Sequence, residues 1–181
     1  LGNIFKKLGE NQKAIDCYNK LIEINPNYVT AHNHLGVIFQ GLNQNKKAMD
    51  CYEKAIKINP NISQAHNNLG VIFQNIGENQ KAVDCYKKAI EIDPNFIDPH
   101  FNLGAAFKRL DENLKAIDCY KKAIKLNPNY TDAYYNTGLI LHELGEHQKA
   151  IDCYKKVIEI NPIYVDAHNN LAGIFLDLEE Y

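Results

Sequence analysis

Apolar residues along this chain recur three or four positions apart, which is the spacing of amphipathic helices, and they come in pairs of segments. Within residues 63–96, one face of a first helix carries Leu69, Gly70 and Phe73. One face of a second helix carries Ala82, Tyr86, Ala89 and Ile90. The pattern therefore predicts two helices that each bury one stripe of side chains.

Short segments that contain glycine or proline separate these helices. Gly77 lies between the two stripes, and Gly9 and Gly145 hold the same place elsewhere in the chain. Glycine adopts the left-handed conformation that ends many helices, so we predict a hairpin turn there. Pro94 ends the second helix, because the residue before a proline leaves helical geometry and proline has no backbone N–H to donate.

The helix pair is repeated along the chain with a period of 34 residues. Five prolines mark this period, namely Pro26, Pro60, Pro94, Pro128 and Pro162. The repeats are predicted at 29–62, 63–96, 97–130 and 131–164, with partial repeats at 1–28 and 165–181. Because both ends fall within a repeat, we interpret residues 1–181 as a single array from a longer protein.

Small residues recur where two helices must approach each other. The first helices carry Gly36, Gly70, Gly104 and Gly138, and the second helices carry Ala48, Ala82, Ala116 and Ala150. One helical hairpin cannot cover its own apolar face, so neighbouring hairpins must stack into a continuous core. The sequence thus predicts an all-α fold, a solenoid of helix pairs.

The order Leu-Gly, aromatic, Ala, aromatic, Ala, Pro resembles the tetratricopeptide repeat family over the whole chain. This resemblance implies a right-handed superhelix of antiparallel helix pairs, with the first helices lining a concave side that binds protein. The position where the family usually has tryptophan holds His32, His66, His100, Tyr134 and His168. Ala172 replaces the usual glycine, and Leu21 and Val157 replace an alanine.

The charge pattern argues against two classes of partner. A formal charge of −2 arises from 20 basic and 22 acidic residues that are mixed along the chain. This balance gives no field that would attract nucleic acid or an anionic membrane. No apolar run reaches the ~20 residues needed to cross a bilayer, so we expect neither a nucleic-acid nor a membrane partner.

The repeated cysteines and histidines predict neither a metal site nor an enzyme. Equivalent cysteines of neighbouring repeats should lie ~10 Å apart, which exceeds disulfide reach. His32 and His34 are two positions apart on a helix and point to different faces. The chain shows no catalytic triad pattern or phosphate-binding loop, so we expect no catalytic residue, metal or cofactor. Cysteines without disulfides suit a reducing, cytoplasmic location.

The second helices carry an acidic residue four positions before a basic one, as in Asp16 and Lys20 or Asp84 and Lys88. Such spacing predicts surface ion pairs on a solvated outer face.

Asparagine recurs at one position of the first helices. This Asn ladder comprises Asn68, Asn102, Asn136 and Asn170, with His34 at the first of the five positions. Asparagine is a poor helix former, so its fixed phase calls for a reason. Its amide donates and accepts hydrogen bonds, which matches the backbone of an extended peptide. The alternative explanation is compositional, because asparagine is abundant throughout the chain.

The segments around Asn136 and Asn170 are similar to repeats of O-GlcNAc transferase and SPINDLY-type proteins. That resemblance implies an Asn ladder that contacts peptide backbone, and aspartates that contact side chains. The matching aspartates are Asp98, Asp132 and Asp166. Gln74, Lys108 and His142 lie one or two helical turns further along the first helices, and we expect them to determine which ligand is bound.

Three hypotheses follow from these patterns. The first is a non-enzymatic module that binds protein or an extended peptide through the Asn ladder. The second is the substrate-recruiting arm of a glycosyltransferase resembling O-GlcNAc transferase. The third is a self-assembling scaffold, a homo-oligomer in which a second copy covers the first helix predicted within 165–178, because that helix lacks its partner.

Overall fold

The structure is a computed structural model that describes residues 2–179, except for the side chains of residues 3, 6, 7, 178 and 179. The described part contains eleven helices and no strand, which confirms the all-α prediction. In chain order the helices are α1 Gly2–Lys7, α2 Asn11–Ile24, α3 Val29–Gly41, α4 Asn45–Ile58, α5 Ser63–Asn75, α6 Asn79–Ile92, α7 Ile97–Arg109, α8 Asn113–Leu126, α9 Thr131–Glu143, α10 His147–Ile160 and α11 Val165–Glu179.

The helices form two compact units, Leu1–Pro99 and His100–Tyr181, with the boundary inside α7. In unit 1, α3 packs on α4 and α5 packs on α6, while α4 also contacts α5. In unit 2, α9 packs on α10, and α10 contacts α11. We call α1, α3, α5, α7, α9 and α11 the first helices, and α2, α4, α6, α8 and α10 the second helices.

Left-handed residues close the turns between first and second helices. Gly9, Gly77 and Gly145 have φ angles of 74°, 84° and 75°, as predicted. The other two turns use Asn43 at 57° and Asp111 at 59°. Asparagine and aspartate tolerate this conformation better than other residues with a side chain, so the same turn forms without glycine.

A buried tyrosine from each second helix fills the space next to a first-helix glycine. Tyr86 is fully buried, and a Cβ atom added at Gly70 would lie 2.6 Å from its ring. The glycine is therefore required by the ring that packs against it. The Tyr86 hydroxyl donates a 2.7 Å hydrogen bond to Gln74, and the Tyr52 hydroxyl donates one of 2.8 Å to Gln40.

The ion pairs of the second helices differ from the prediction. Lys13, Lys81, Lys115 and Lys149 pair with Glu10, Glu78, Glu112 and Glu146, three positions earlier. Within the described residues the predicted Asp–Lys pairs do not form, and Asp16 accepts a hydrogen bond from Gln12 instead. A glutamate before the helix is favoured by the helix dipole and lies within reach of the lysine, which explains the preference.

Burial makes several cysteine thiols poor nucleophiles. Within the described chain none of the five cysteines forms a disulfide. Burial raises the pKa of Cys51, Cys85 and Cys153 to about 11. Since the thiolate is the reactive form, these side chains behave as small apolar groups near neutral pH.

We expect iodoacetamide to alkylate these three cysteines at pH 8 on the order of a hundredfold more slowly than an exposed cysteine with a pKa near ~8.5. The unfolded chain releases these protons first, so the free energy of unfolding should fall as the pH rises from ~8.5 towards the folded pKa of about 11. Mass spectrometry of timed reactions measures the rates, and urea should remove the protection. Equal rates in the folded and unfolded chain would contradict the burial account.

Candidate peptide-binding surface

The first helices α3 and α5 of unit 1 line a half-open cavity of about 420 Å³. The α3 side contributes Thr30, Asn33, His34 and Val37, and the α5 side contributes Ile62, Gln64 and Asn68. His34 and Asn68, two members of the predicted ladder, therefore line one cavity. Its lining contains no aspartate, glutamate, lysine or arginine, so the cavity presents amide, hydroxyl, imidazole and aliphatic groups.

Asn33 was not among the predicted site residues, although it lies one position before His34. It is 9% exposed, and its Oδ1 has no hydrogen-bond partner within the described structure. A buried polar atom without a partner is costly, and it is a group that a ligand donor can satisfy. The sequence contained a signal for this residue, because Asn67 repeats it 34 positions later.

The ladder residues of unit 1 also interact with buried tyrosines of the second helices. The Asn68 oxygen accepts a 3.4 Å hydrogen bond from Asn67. Burial raises the pKa of the Tyr52 phenol, and a hydrogen bond with Asn68 lowers it in part. The His34 ring lies 5.4 Å from the ring of Tyr18, centre to centre. The ladder residues of unit 1 therefore contact the buried tyrosines Tyr18 and Tyr52. The sequence pattern predicts a role in the core, but no role near the site, for tyrosines at this position.

In unit 2 the ladder asparagines make different contacts. Asn136 donates a 2.7 Å hydrogen bond to the backbone oxygen of Asp132 in its own helix. Asn170 donates a 3.2 Å hydrogen bond to the hydroxyl of Tyr135. Asn102 is half-buried in α7. An asparagine amide has two donor hydrogens and one acceptor oxygen, so the single hydrogen bond of Asn136 leaves groups available to a ligand.

The three predicted aspartates lie exposed in the first turns of their helices. Asp98 lies in unit 1, and Asp132 and Asp166 lie in unit 2. Burial raises the pKa of the Tyr164 phenol, and the neighbouring carboxylates of Asp132 and Asp166 raise it further. The two carboxylates therefore lie close to an aromatic side chain in unit 2.

The remaining predicted residues have partners within the protein. Gln74 is 9% exposed and accepts the hydrogen bond of Tyr86. Lys108 of α7 forms an ion pair with Glu143 of α9. His142 of α9 lies 4.0 Å from a carboxylate oxygen of Asp177 in α11. Lys108 and His142 thus each link one first helix to the next.

Among the described residues no group of histidine, cysteine, aspartate or glutamate is arranged to hold a metal ion. No helix of the described part has the length and apolar character to cross a membrane.

Three sequence-family models match the chain. The tetratricopeptide repeat model matches residues 29–62, 63–96 and 131–164, which together exceed half of the chain. A second tetratricopeptide repeat model matches 85–118, and a TPR repeat model matches 2–43 and 112–145. The chain belongs to the tetratricopeptide repeat family, and its helix pairs form a protein-interaction scaffold. No curated protein matches it by sequence.

Solved structures of similar fold span most of the chain. A crystal structure of MamA has a TM-score of 0.82 at 26% sequence identity, and the matched region covers 92% of this chain and 97% of the MamA chain. YrrB, described as a TPR protein with an unusual peptide-binding site, has a TM-score of 0.78 at 22% identity. The matched region covers 93% of this chain and 87% of the YrrB chain. PilF of Pseudomonas aeruginosa has a TM-score of 0.82 at 21% identity. The matched region covers 99% of this chain and 88% of the PilF chain. The fold is thus that of the tetratricopeptide solenoids.

Proposed function

We propose that this protein binds an extended segment of another polypeptide on its first helices, and that it does so without catalysing a reaction. The observation that carries the proposal is the cavity between α3 and α5, which His34 and Asn68 line together with the unsatisfied acceptor of Asn33. A concave site with a few fixed polar groups among apolar ones is the usual form of a binding pocket.

The chemistry of the first helices suits the backbone of a peptide. A peptide group offers one N–H donor and one C=O acceptor at every residue, and asparagine amides complement both. Asn136 keeps amide groups available beyond its one hydrogen bond. Asp98, Asp132 and Asp166 are exposed, so basic side chains of the ligand would be favoured next to them.

A solved structure of the same fold is in line with peptide binding. The peptide-binding site of YrrB occurs in a protein of the same fold. We place the protein in a reducing, cytoplasmic compartment, since none of its five cysteines forms a disulfide in the described chain.

The recruiting arm of an enzyme resembling O-GlcNAc transferase is a narrower form of the same proposal, and it rests on the similarity of the repeats around Asn136 and Asn170. Self-assembly is the candidate from a different class. Its specific support is apolar exposure on α11, where Val165 is 66% exposed, Phe175 44% and Leu176 64%.

The triple variant Asn68→Ala, Asn102→Ala and Asn136→Ala should bind an array of short randomised peptides at least about tenfold more weakly than the native protein, the change that ~1.4 kcal/mol produces. The loss should extend across many peptide sequences, because the proposed contacts are to backbone. Binding is measured after circular dichroism shows that both proteins are equally helical.

The matched control is Asn61→Ala, Asn95→Ala and Asn129→Ala, which makes the same change at the same spacing in exposed loops. This control should bind like the native protein. Undiminished binding by the ladder variant would overturn the ladder and move the site to another surface. Binding by neither protein, together with a sedimentation coefficient that rises with concentration, would support self-assembly instead.

A further inference from the structure

One position of the repeat differs in size along the chain. It holds Asn33 and Asn67 in unit 1, and Phe101, Tyr135 and Asn169 in unit 2. The aromatic members pack against neighbouring rings. Tyr135 lies 5.1 Å from the ring of Tyr164 and 6.0 Å from that of Tyr154, centre to centre. Its hydroxyl accepts a 3.2 Å hydrogen bond from Asn170.

The 34-residue period relates each of these residues to one in unit 1. Three periods before Tyr135 is Asn33, three before Tyr164 is Ile62, and three before Asn170 is Asn68. All three equivalents line the cavity between α3 and α5. In unit 2 the Tyr135 side chain itself spans from α9 to Tyr164 and Asn170. In unit 1 the short side chain of Asn33 leaves the corresponding space open.

We propose that this cavity binds a tyrosine side chain of the polypeptide ligand, which takes the role in unit 1 that Tyr135 has in unit 2. The inference rests on the proposed function, since it names the residue that the peptide site selects. The ring would pack against Ile62 and Val37. The phenol hydroxyl would accept a hydrogen bond from the Asn68 amide and donate its own hydrogen to Asn33 Oδ1.

Size, charge and hydrogen bonding favour tyrosine over other side chains. The volume of about 420 Å³ lies near the lower end of ligand pockets, ~300–1,000 Å³, which suits one large side chain with part of its backbone. The lining has no formally charged group to pair with a lysine, arginine, aspartate or glutamate. Phenylalanine would fill the space but leave the Asn33 oxygen without a donor.

The test uses three libraries of short randomised peptides whose central residue is fixed as tyrosine, phenylalanine or alanine. Against the native protein, the tyrosine library should bind about tenfold more tightly than the alanine library, with the phenylalanine library between them. This comparison changes only the peptide, so it does not depend on how any variant folds.

The substitution Asn33→Tyr should fill the cavity with a tyrosine side chain of the protein itself, which leaves no space for a tyrosine of the peptide. The fold accommodates tyrosine at this position of a later repeat, at Tyr135. The variant should bind the tyrosine library about tenfold more weakly than the native protein does, at the level of the alanine library. The control Asn61→Tyr, in an exposed loop, should retain native binding.

Two results would overturn the inference in different ways. Equal binding of the tyrosine and alanine libraries, unaffected by Asn33→Tyr, would remove the tyrosine pocket and leave the peptide-binding function standing. The absence of binding to every library, with native protein that is folded by circular dichroism, would overturn the peptide-binding function and this inference with it.

Discussion

Tyr86→Ala is expected to lower the free energy of unfolding by about 3–5 kcal/mol, the usual cost of truncating a buried aromatic side chain. Tyr86 is fully buried between α5 and α6, where it contacts Gly70 and hydrogen-bonds Gln74. Its removal leaves a cavity and takes away the hydroxyl that donates to Gln74. Urea unfolding followed by circular dichroism measures the change.

Two controls separate the contributions of the Tyr86 side chain. Tyr86→Phe keeps the ring and removes the hydrogen bond to Gln74, so it should cost about 0.5–1.5 kcal/mol, the net contribution of one hydrogen bond. Tyr28→Ala, at a residue that is 43% exposed, should cost less than half as much as Tyr86→Ala. Equal losses for Tyr28→Ala and Tyr86→Ala would show that the buried ring has no special role.

Gly70→Ala should destabilise the protein by about 1–3 kcal/mol, the cost of overpacking a core, even though alanine is the better helix former. The added Cβ would lie 2.6 Å from the Tyr86 ring, well inside contact distance. The matched control is Gly173→Ala in α11, where a Cβ would meet nothing within 4 Å. That substitution should be neutral or stabilising by up to ~1 kcal/mol.

A double-mutant cycle tests the cause of the Gly70 effect. Once Tyr86→Ala has removed the ring, Gly70→Ala should no longer be harmful and should stabilise the helix by up to ~1 kcal/mol. The sign of the Gly70→Ala effect therefore depends on the residue at position 86. A loss that is the same in both backgrounds would mean that another contact explains the glycine.

The helix pairs and most of their turns could be predicted because each rests on a local and repeated signal. The stripes of apolar residues set the helices, and Gly9, Gly77 and Gly145 adopt the left-handed conformation expected of them. Asn43 and Asp111 occupy the same place without glycine. Their sequence alone is ambiguous, since asparagine and aspartate form such turns less readily than glycine.

The contacts of individual site residues were less accessible to sequence reasoning. The hydrogen bond between Tyr86 and Gln74 joins residues twelve positions apart on two helices, so it depends on how the helices pack. The cavity depends on the small volume of Asn33 beside Ile62 and Asn68. A comparison of side-chain volumes at equivalent positions, Asn33 against Tyr135, would have found it.

The most direct test of the peptide-binding surface is an NMR titration with the tightest peptide from the libraries, in which the side-chain amide signals of asparagine are followed. We expect the signals of Asn33 and Asn68 to shift together as peptide is added, while the signal of Asn61 in its exposed loop stays fixed. Shifts confined to the second helices α4 and α6, with Asn33 and Asn68 unchanged, would contradict it.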